Sequence, residues 1–498
     1  LSLRRRLFAE VPVRRQAGLD LLAGAAVALG QAPLSAWYLA FPALIWAMSR
    51  MVRPVSAAGA GWAGLLVGAG YFGASLNWIV SPFLIDPVVY GWMAPFAVVL
   101  MAFGFGLFWA GAAAVAYRFP VRPLALAASL GAVELVRGHI FTGFPWALVG
   151  HMWHGWPVVQ TVALWGATGL TVVTLAAASL PLLHRWRGAV GAVALLLAGT
   201  GFGLWQLEQP EPAAREASLR LVQPNAEQHL KWDPDQARIL FQRQLEFTSA
   251  GTPADLTIWP ETAVPYLLEY SPEVAPIITG ASGGNKVAIG IQRVEGDRGW
   301  NSLRLLEGEG RVSATYDKFH LVPFGEYMPM GDLLQDWFGI GAFAAQVGNG
   351  YSPGNGPQVI DLGAALGKVL PLICYEAVFP QIARGAPERP DWMLQITNDA
   401  WFGTLTGPFQ HFEQARLRAV EQGLPLIRVA NTGVTAVIDA RGRVVQSLPF
   451  GTAGYLDVAQ VPGALAVTPY AAWGEGPVLL MLVALIGGSL LRRRPRVA

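Results

Sequence analysis

The order of apolar and polar positions divides the chain into two textures. Up to Leu207, long apolar stretches are separated by short connections carrying proline and arginine; beyond Ala217, short β-branched runs alternate with turns and amphipathic segments. An α-helix needs about 20 apolar residues to cross a bilayer. The pattern predicts membrane helices near Leu19–Gly30, Ala36–Met48, Ala57–Val80, Val89–Tyr117, Leu124–Val136, Val158–Leu183 and Gly188–Leu207, with an eighth near Gly476–Leu491. The first, second, fifth and eighth are short for a span. "PFLIDP" and "FPVRP" put proline and charge between spans.

Charge placement bears on this count, because cytoplasmic loops collect Lys and Arg. Arg4, Arg5, Arg6, Arg14 and Arg15 precede the first stretch, Arg50 and Arg53 follow the second, and Arg118 and Arg122 follow the fourth. Arg185 and Arg187 follow the sixth, and Arg492, Arg493, Arg494 and Arg496 follow the last. Every second connection is basic. Both termini are therefore expected in the cytoplasm and the segment from Glu208 to Leu465 outside. The basic start and apolar core also fit a signal peptide, but six further apolar stretches favour an uncleaved first helix. The expected organisation is a membrane bundle over 1–207, a polar domain over 208–465, and a final membrane helix with a basic tail over 466–498.

In the polar domain, "LRLVQPN", "DLTIWPE", "KVAIGIQRV", "NSLRLLE", "RVSATYDK", "KVLPLICYE", "MLQITND", "LIRVANTG" and "TAVIDARG" have the character of strands. "DPDQARILFQRQLEFTSAG" starts with a capping aspartate and ends at Gly251, and "PFQHFEQARLRAVEQG" ends at Gly423; both predict helices. Many strands with interspersed helices predict one α/β domain. Strands apolar on both faces fit a sheet covered by helices.

Composition agrees with this division. Apolar residues are 53% of the chain, charged residues 14%, and tryptophan occurs 19 times, which suits a membrane protein carrying a polar domain. No basic nucleic-acid surface and no zinc-type cysteine pattern is present, and nothing calls for a metal or an organic cofactor. Arginine supplies most of the positive charge; lysine occurs only at Lys231, Lys286, Lys318 and Lys368.

Two features stand out in the membrane part. Glu134 and Arg137 lie in or beside the fifth stretch, where ionisable groups are costly and often functional; an i,i+3 pair at the membrane edge is the plainer reading. The following "FTGFPWALVGHMWHGW" is aromatic and non-basic and suits a lipid entrance. His151 and His154 mimic a metal pair, but no carboxylate cluster accompanies them in the sequence, so they are expected to be interfacial.

The candidate chemistry centres on Cys374, the only cysteine. It cannot form an intramolecular disulfide. A lone cysteine is commonly a small buried hydrophobe; the alternative is a nucleophile. Three predicted strands end in a reactive group: Glu261 after "LTIWP", Lys318 after "SATYD" and Cys374 after "VLPLI". Strand-to-loop junctions are where sheet enzymes present side chains. A thiol needs a base or nearby positive charge to attack. A glutamate can take its proton, and a lysine can stabilise a developing oxyanion. The helix-like "EAVFPQIARG" after Cys374 is expected to favour a thiolate through its N-terminal amides. His320, expected on the same strand face as Lys318, keeps a Cys–His pairing open.

"WPETAVPY", "YDKFHLVPFGEYMP" and "LICYEAVFP" resemble, in order, the three catalytic segments of the nitrilase, or carbon–nitrogen hydrolase, superfamily. "LKWD", "NDAWFG", "FTGFPW" and the fused membrane part make the chain similar over nearly its full length to the apolipoprotein N-acyltransferase family. That resemblance implies a nitrilase-like αββα sandwich on a polytopic bundle of about eight membrane helices. It implies a Glu261–Lys318–Cys374 triad, with Glu326, Tyr375 and Glu376 at supporting positions and Trp232 at a position the family uses.

It further implies a ping-pong reaction. Cys374 takes an acyl chain from a membrane phospholipid, typically phosphatidylethanolamine, and passes it to the α-amine of a diacylglyceryl-modified cysteine at a lipoprotein's N-terminus. The implied location is the bacterial inner membrane, with a periplasmic catalytic domain and both termini cytoplasmic; a monomer is expected, with no nucleic-acid partner. The glycine-flanked segment holding Trp337, Phe338, Ile340 and Phe343 suggests a lid meeting the membrane surface, with Trp401 another substrate-binding or lid position. The nearest rival is a membrane-tethered amidase using the same triad on small amides; a non-catalytic lipid-binding or transport protein is the rival of another class.

Overall fold

The computed structural model describes residues 14–231, 233–329 and 350–491. The chain divides into two compact units. One comprises Leu1–Gln209, Leu405–Glu413 and Thr468–Ala498; the other comprises Pro210–Thr404 and Gln414–Val467.

The first unit is helical, with helices Arg14–Val27, Trp37–Val52, Ala57–Ser75, Ala94–Ala116, Arg122–Arg137, Val162–Leu207 and Gly476–Leu490 as its main elements. Small residues let them approach closely. A Cβ on Gly64 would lie 2.5 Å from the Trp109 carbonyl oxygen, and one on Gly68 would lie 2.8 Å from the Gly106 Cα. The Val162–Leu207 helix is broken at His184 and Arg185, the latter at φ +48°, where the sequence pattern changes from its sixth to its seventh stretch.

Among the described residues, length and composition single out fewer spans than the eight expected. Pro87–Ala116 and Pro157–Leu207 are long and apolar enough to cross a membrane, and the bent pair Ala57–Ser75 and Asn77–Leu84 makes a third; Gly476–Leu490 is apolar but shorter. The difference lies in helix length. The 16-residue helices Trp37–Val52 and Arg122–Arg137 reach about 24 Å at 1.5 Å per residue, short of a hydrocarbon core of about 30 Å.

Glu134 and Arg137 form the plainer i,i+3 pair, but buried rather than at an edge. Trp109 Nε1 donates to Glu134 Oε1 at 2.6 Å, and the guanidinium lies over the rings of Phe72 and Phe105. His151 and His154 are buried too, with ring centroids 5.2 Å apart. His154 does meet a carboxylate: its Nδ1 lies 3.5 Å from Glu413 Oε2, a partner far away in sequence and so invisible in the local pattern.

The second unit holds two six-stranded sheets, ordered β12-β1-β2-β3-β4-β5 and β11-β10-β9-β8-β7-β6. The strands are β1 Leu219–Gln223, β2 Leu256–Ile258, β3 Lys286–Glu295, β4 Arg298–Glu307, β5 Arg311–Asp317, β6 Ile360–Asp361, β7 Lys368–Ile373, β8 Trp392–Thr397, β9 Leu426–Ala430, β10 Thr435–Ile438, β11 Val444–Leu448 and β12 Gly454–Val458. Each sheet has a parallel centre, β1-β2-β3 in one and β7-β8-β9 in the other, flanked by antiparallel strands. Strands β1, β2, β8, β9 and β10 are buried at every position, so both faces of each sheet are covered there.

Helices Pro234–Ser249 and Val274–Ala281 cover one sheet through Phe241, Val274 and Ile278, which pack with Trp259, Val287 and Ile289. Asp233 caps the first of these helices by accepting from the backbone N–H groups of Asp235 and Gln236. The nine strands expected from the sequence are all present; β6, β11 and β12 are additional.

Candidate active site

Parallel strands leave their chemistry at their C-terminal ends; Glu261 and Cys374 stand beyond two such ends, and Lys318 beyond β5, which pairs antiparallel with β4. Cys374 follows β7 directly and opens a short 3₁₀ turn, Cys374–Val378. Its φ of +52° lies in the left-handed region, unusual for a residue with a side chain. The expected helix after the thiol is thus two short pieces, this turn and Pro380–Arg384.

Buried Glu376 fastens the turn. Its carboxylate accepts from the Ile373 N–H at 2.7 Å, the Phe319 N–H at 3.0 Å, the His320 N–H at 3.2 Å and the Tyr316 hydroxyl at 2.9 Å. One side chain therefore ties the nucleophile's strand to the loop after Lys318. Burial pushes its pKa up to about 7, against the opposing pull of these backbone donors and of Lys318.

A second support lies beneath the thiol. Gln395 Nε2 donates to the Cys374 carbonyl at 3.0 Å, and Arg428 Nη1 donates to Gln395 Oε1 at 2.6 Å. Arg428 also pairs with Asp399, which accepts from Thr397 Oγ1 at 3.0 Å. Thr397 in turn hydrogen-bonds the thiol. Arg428 and Asp399 are both fully buried.

Glu261 lies three residues beyond β2. Its carboxylate accepts from the Asn398 N–H at 2.7 Å and from Asn301 Nδ2 at 2.7 Å. Gly290 on β3 makes room for this turn, since a Cβ there would lie 2.2 Å from the Pro260 oxygen. Lys318 follows β5, and its backbone N–H donates to the Asn301 carbonyl at 2.9 Å. Its ammonium lies 2.8 Å from Glu326 Oε2 and 3.6 Å from Glu261 Oε1. Asn301 Nδ2 also donates to Glu326 at 3.0 Å, closing a ring of two carboxylates, one amide and one ammonium.

The electrostatics follow from this packing. Burial alone would lower the Lys318 pKa; the charges of Glu326 and Glu261 outweigh it and raise it. The lysine remains a cation at every ordinary pH. Burial raises the Cys374 pKa, the charges of Glu261 and Asp399 add to the rise, and Lys318 and Thr397 oppose it. The resting group is a thiol rather than a preformed thiolate, so attack requires a base.

The comparisons with known proteins concern this whole arrangement. Residues 210–470 match the carbon-nitrogen hydrolase family, and residues 23–180 match the apolipoprotein N-acyltransferase N-terminal domain. The chain is 38% identical to the apolipoprotein N-acyltransferase of Caulobacter vibrioides, an alignment covering 95% of this chain and 94% of that protein. The chain belongs to the apolipoprotein N-acyltransferase family. The protein of that name from Rhodopseudomonas palustris is 36% identical, covering 97% and 96%. Among solved structures, an amidase from Nesterenkonia sp. is 18% identical with a TM-score of 0.34, covering 55% of this chain and 98% of that one.

For a member of this family, the remaining expected positions divide as follows. Glu326 joins the lysine and Glu376 the turn, as above. Tyr375 is buried, its ring centroid 4.8 Å from that of Phe379. Trp401 is half-buried in the 3₁₀ turn Asp399–Phe402. Trp232, Trp337, Phe338, Ile340 and Phe343 lie outside the described residues.

His320 is not on a strand face with Lys318, because β5 ends at Asp317. Its ring packs on Phe379, with centroids 4.0 Å apart, and near Tyr375. Asn301, Asn398, Arg428 and Lys231 were not anticipated as site residues. Lys231 alone carried a signal, the scarcity of lysine.

Proposed function

We propose that Cys374 carries a fatty acyl chain as a thioester, taken from a membrane phospholipid and delivered to the free α-amine of a lipoprotein's N-terminal diacylglyceryl-cysteine. The single observation that carries this reading is the shared neighbourhood of Glu261, Lys318 and a buried thiol at strand ends, in a chain similar to apolipoprotein N-acyltransferases over nearly its whole length.

In the first half-reaction Glu261 takes the thiol proton while sulfur attacks the ester carbonyl. The tetrahedral oxyanion forms beside the Lys318 ammonium. Collapse breaks the ester C–O bond, and Glu261 returns its proton to the leaving lysophospholipid oxygen. In the second half the unprotonated amine attacks the thioester carbonyl, Glu261 receives the amine proton, and breaking the C–S bond releases the N-acyl product. The sulfur then recovers its proton from Glu261. Glu326 takes the lysine's closer ion pair, so the cation does not tie up Glu261. Water must be kept from the thioester, or the product is free fatty acid.

The same reading makes the helical unit a membrane anchor of eight segments in a bacterial inner membrane, with the catalytic unit on the periplasmic side. The alternation of arginine-rich connections supports that orientation. Phosphatidylethanolamine as donor and a monomeric enzyme complete the proposal.

The test is intact-mass measurement after incubation of the detergent-solubilised protein with phosphatidylethanolamine. An acyl increment is expected on the parent and not on Cys374→Ser. A diacylated lipopeptide with a free N-terminal amine should then discharge it. A protein that hydrolyses small amides yet never acquires the increment is an amidase, and the proposal fails.

A further inference from the structure

The turn bearing Glu261 is held in an unfavourable conformation. Thr262 has φ +46°, in the left-handed region that a β-branched residue rarely enters. Such strain persists only where neighbours over-determine it, and it gathers at functional sites. The neighbours here can be named. Lys231 Nζ donates to the Glu261 carbonyl at 3.2 Å and to Thr262 Oγ1 at 2.5 Å. Gln244 Nε2 donates to the Ala263 carbonyl at 2.9 Å, and the Ala263 N–H donates to the Gly290 carbonyl at 2.8 Å. Lys231 and Gln244 both line a small pocket whose wall also includes Glu261, Thr262 and Asn431.

We infer that Lys231 is a positioning residue for the base: its ammonium clamps the Glu261–Thr262 turn and so fixes the Glu261 carboxylate relative to the Cys374 thiol. The inference rests on the reading of Glu261 as the base. The residue type suits the task. An ammonium is a compact charge with three donors, able to hold a carbonyl and a hydroxyl at once. A buried cation must be balanced by nearby negative charge, and the titratable groups acting on Lys231 are Glu261 and Cys374. Including Lys231, the cluster of Lys318, Glu261 and Glu326 holds two cations and two carboxylates, which is neutral.

This clamp is sensitive to pH in a way Lys318 is not. Burial lowers the Lys231 pKa to about 8, with Glu261 and Cys374 opposing the fall. The group is therefore charged at neutral pH and loses its proton, and with it the charge-assisted bonds, as pH rises through about 8.

Lys231→Met keeps the stem and removes the charge. In single-turnover acylation of Cys374 by phosphatidylethanolamine in mixed micelles, the rate should fall by about 10–100-fold, the range a small misplacement of a catalytic group produces. The KM for lipid should change by less than about threefold, as expected when ground-state binding is intact. The parent's loss of rate above about pH 8 should be absent from the variant.

A Thr262→Gly background separates the clamp from the fold, because glycine relaxes the turn and removes the hydroxyl. There Lys231→Met should cost at least about threefold less than in the parent. Parental rates with an unchanged alkaline limb, or equal losses in both backgrounds, overturn the inference. Should Lys231→Met not fold, Lys231→Arg carries the same test: a guanidinium does not titrate in this range, so the limb must disappear, and a limb that stays at pH 8 overturns the inference. Glu261→Gln is measured in parallel. Full acylation by that variant defeats the reading of Glu261 as base; an inactive Glu261→Gln beside a parental Lys231→Met defeats only the role of Lys231.

Discussion

Lys318 Nζ lies 2.8 Å from Glu326 Oε2 but 3.6 Å from Glu261 Oε1, so the lysine's closer ion pair is with the supporting carboxylate and not with the proposed base. The arrangement keeps the cation in place without consuming the base. Glu326→Gln removes the nearer anion, and the ammonium is then drawn to Glu261, where it competes for the oxygen that must accept the thiol proton. Acylation of Cys374 should slow by about 100-fold, the low end of the range over which general-base assistance acts, with little change in KM. Rapid-quench intact mass measures this directly. An undiminished acylation rate would show that Glu261 needs no shielding.

Gly290→Ala tests the packing of the Glu261 turn from the opposite side. A Cβ there would lie 2.2 Å from the Pro260 oxygen and 2.6 Å from the Glu261 Cα. Both are backbone atoms, so the turn must shift. A displacement of about 1 Å costs on the order of 100-fold in rate. The expected phenotype is a folded protein that acylates slowly; a melting temperature close to the parent's, combined with that loss, distinguishes it from global damage.

The buried pair beneath the nucleophile should behave differently. Arg428→Met leaves Asp399 without its ion partner in a fully buried site and deprives Gln395 of its donor. Breaking a buried pair on one side costs about 3–5 kcal/mol. Thermal unfolding should show a large stability loss, with acylation lost alongside because the turn bearing Cys374 loosens. Parental stability in this variant would mean that Asp399 finds another partner or a proton.

What the sequence made legible was local. The strands β1–β3, β5 and β7–β10 announce themselves by β-branched residues, β4 by its alternating leucines, the Pro234–Ser249 helix by its capping Asp233, and the three reactive groups by standing at strand ends. What it hid came from pairing at a distance. Asn301 bridges Glu261 and Glu326 across separations of 40 and 25 residues, and nothing in "NSLRLLE" marks it. Arg428 reads as an ordinary strand arginine until β8 and β9 pair side by side and bring it to Gln395 and Asp399. β11 is almost wholly exposed and β6 has two residues, so neither carries an apolar alternation. Among the described residues fewer helices meet the length for a span than there are apolar stretches, because hydropathy registers an apolar stretch but not the length of the helix it forms.

In the helical unit, Arg137→Met should destabilise without touching the chemistry. Glu134 would keep its bond from Trp109 but lose the guanidinium that neutralises it, at a buried position among helices. The cost of stranding one member of a buried pair is about 3–5 kcal/mol. Thermal aggregation in detergent should begin at a lower temperature, while the folded fraction acylates Cys374 at the parental rate per molecule. A slowed rate in that fraction would place the pair in the reaction after all.

Glu376 gives a pH dependence whose sign runs opposite to that of a typical carboxylate. Burial raises its pKa from an ordinary 4.5 to about 7 in the folded protein. Between those values the folded chain holds a proton that the unfolded chain releases. The stability this group contributes is therefore complete below pH 4.5 and is lost as pH rises through 7. A gap of about 2.5 units is worth roughly 3 kcal/mol. Glu376→Gln cannot ionise, but its amide must turn an N–H toward one of the donors from Ile373, Phe319, His320 or Tyr316, which costs stability at every pH. The variant should melt below the parent at pH 5, and the difference should shrink toward pH 8 as the parent pays for its buried charge. A difference that widened with pH would mean that the donors outweigh burial and that Glu376 is held as a carboxylate.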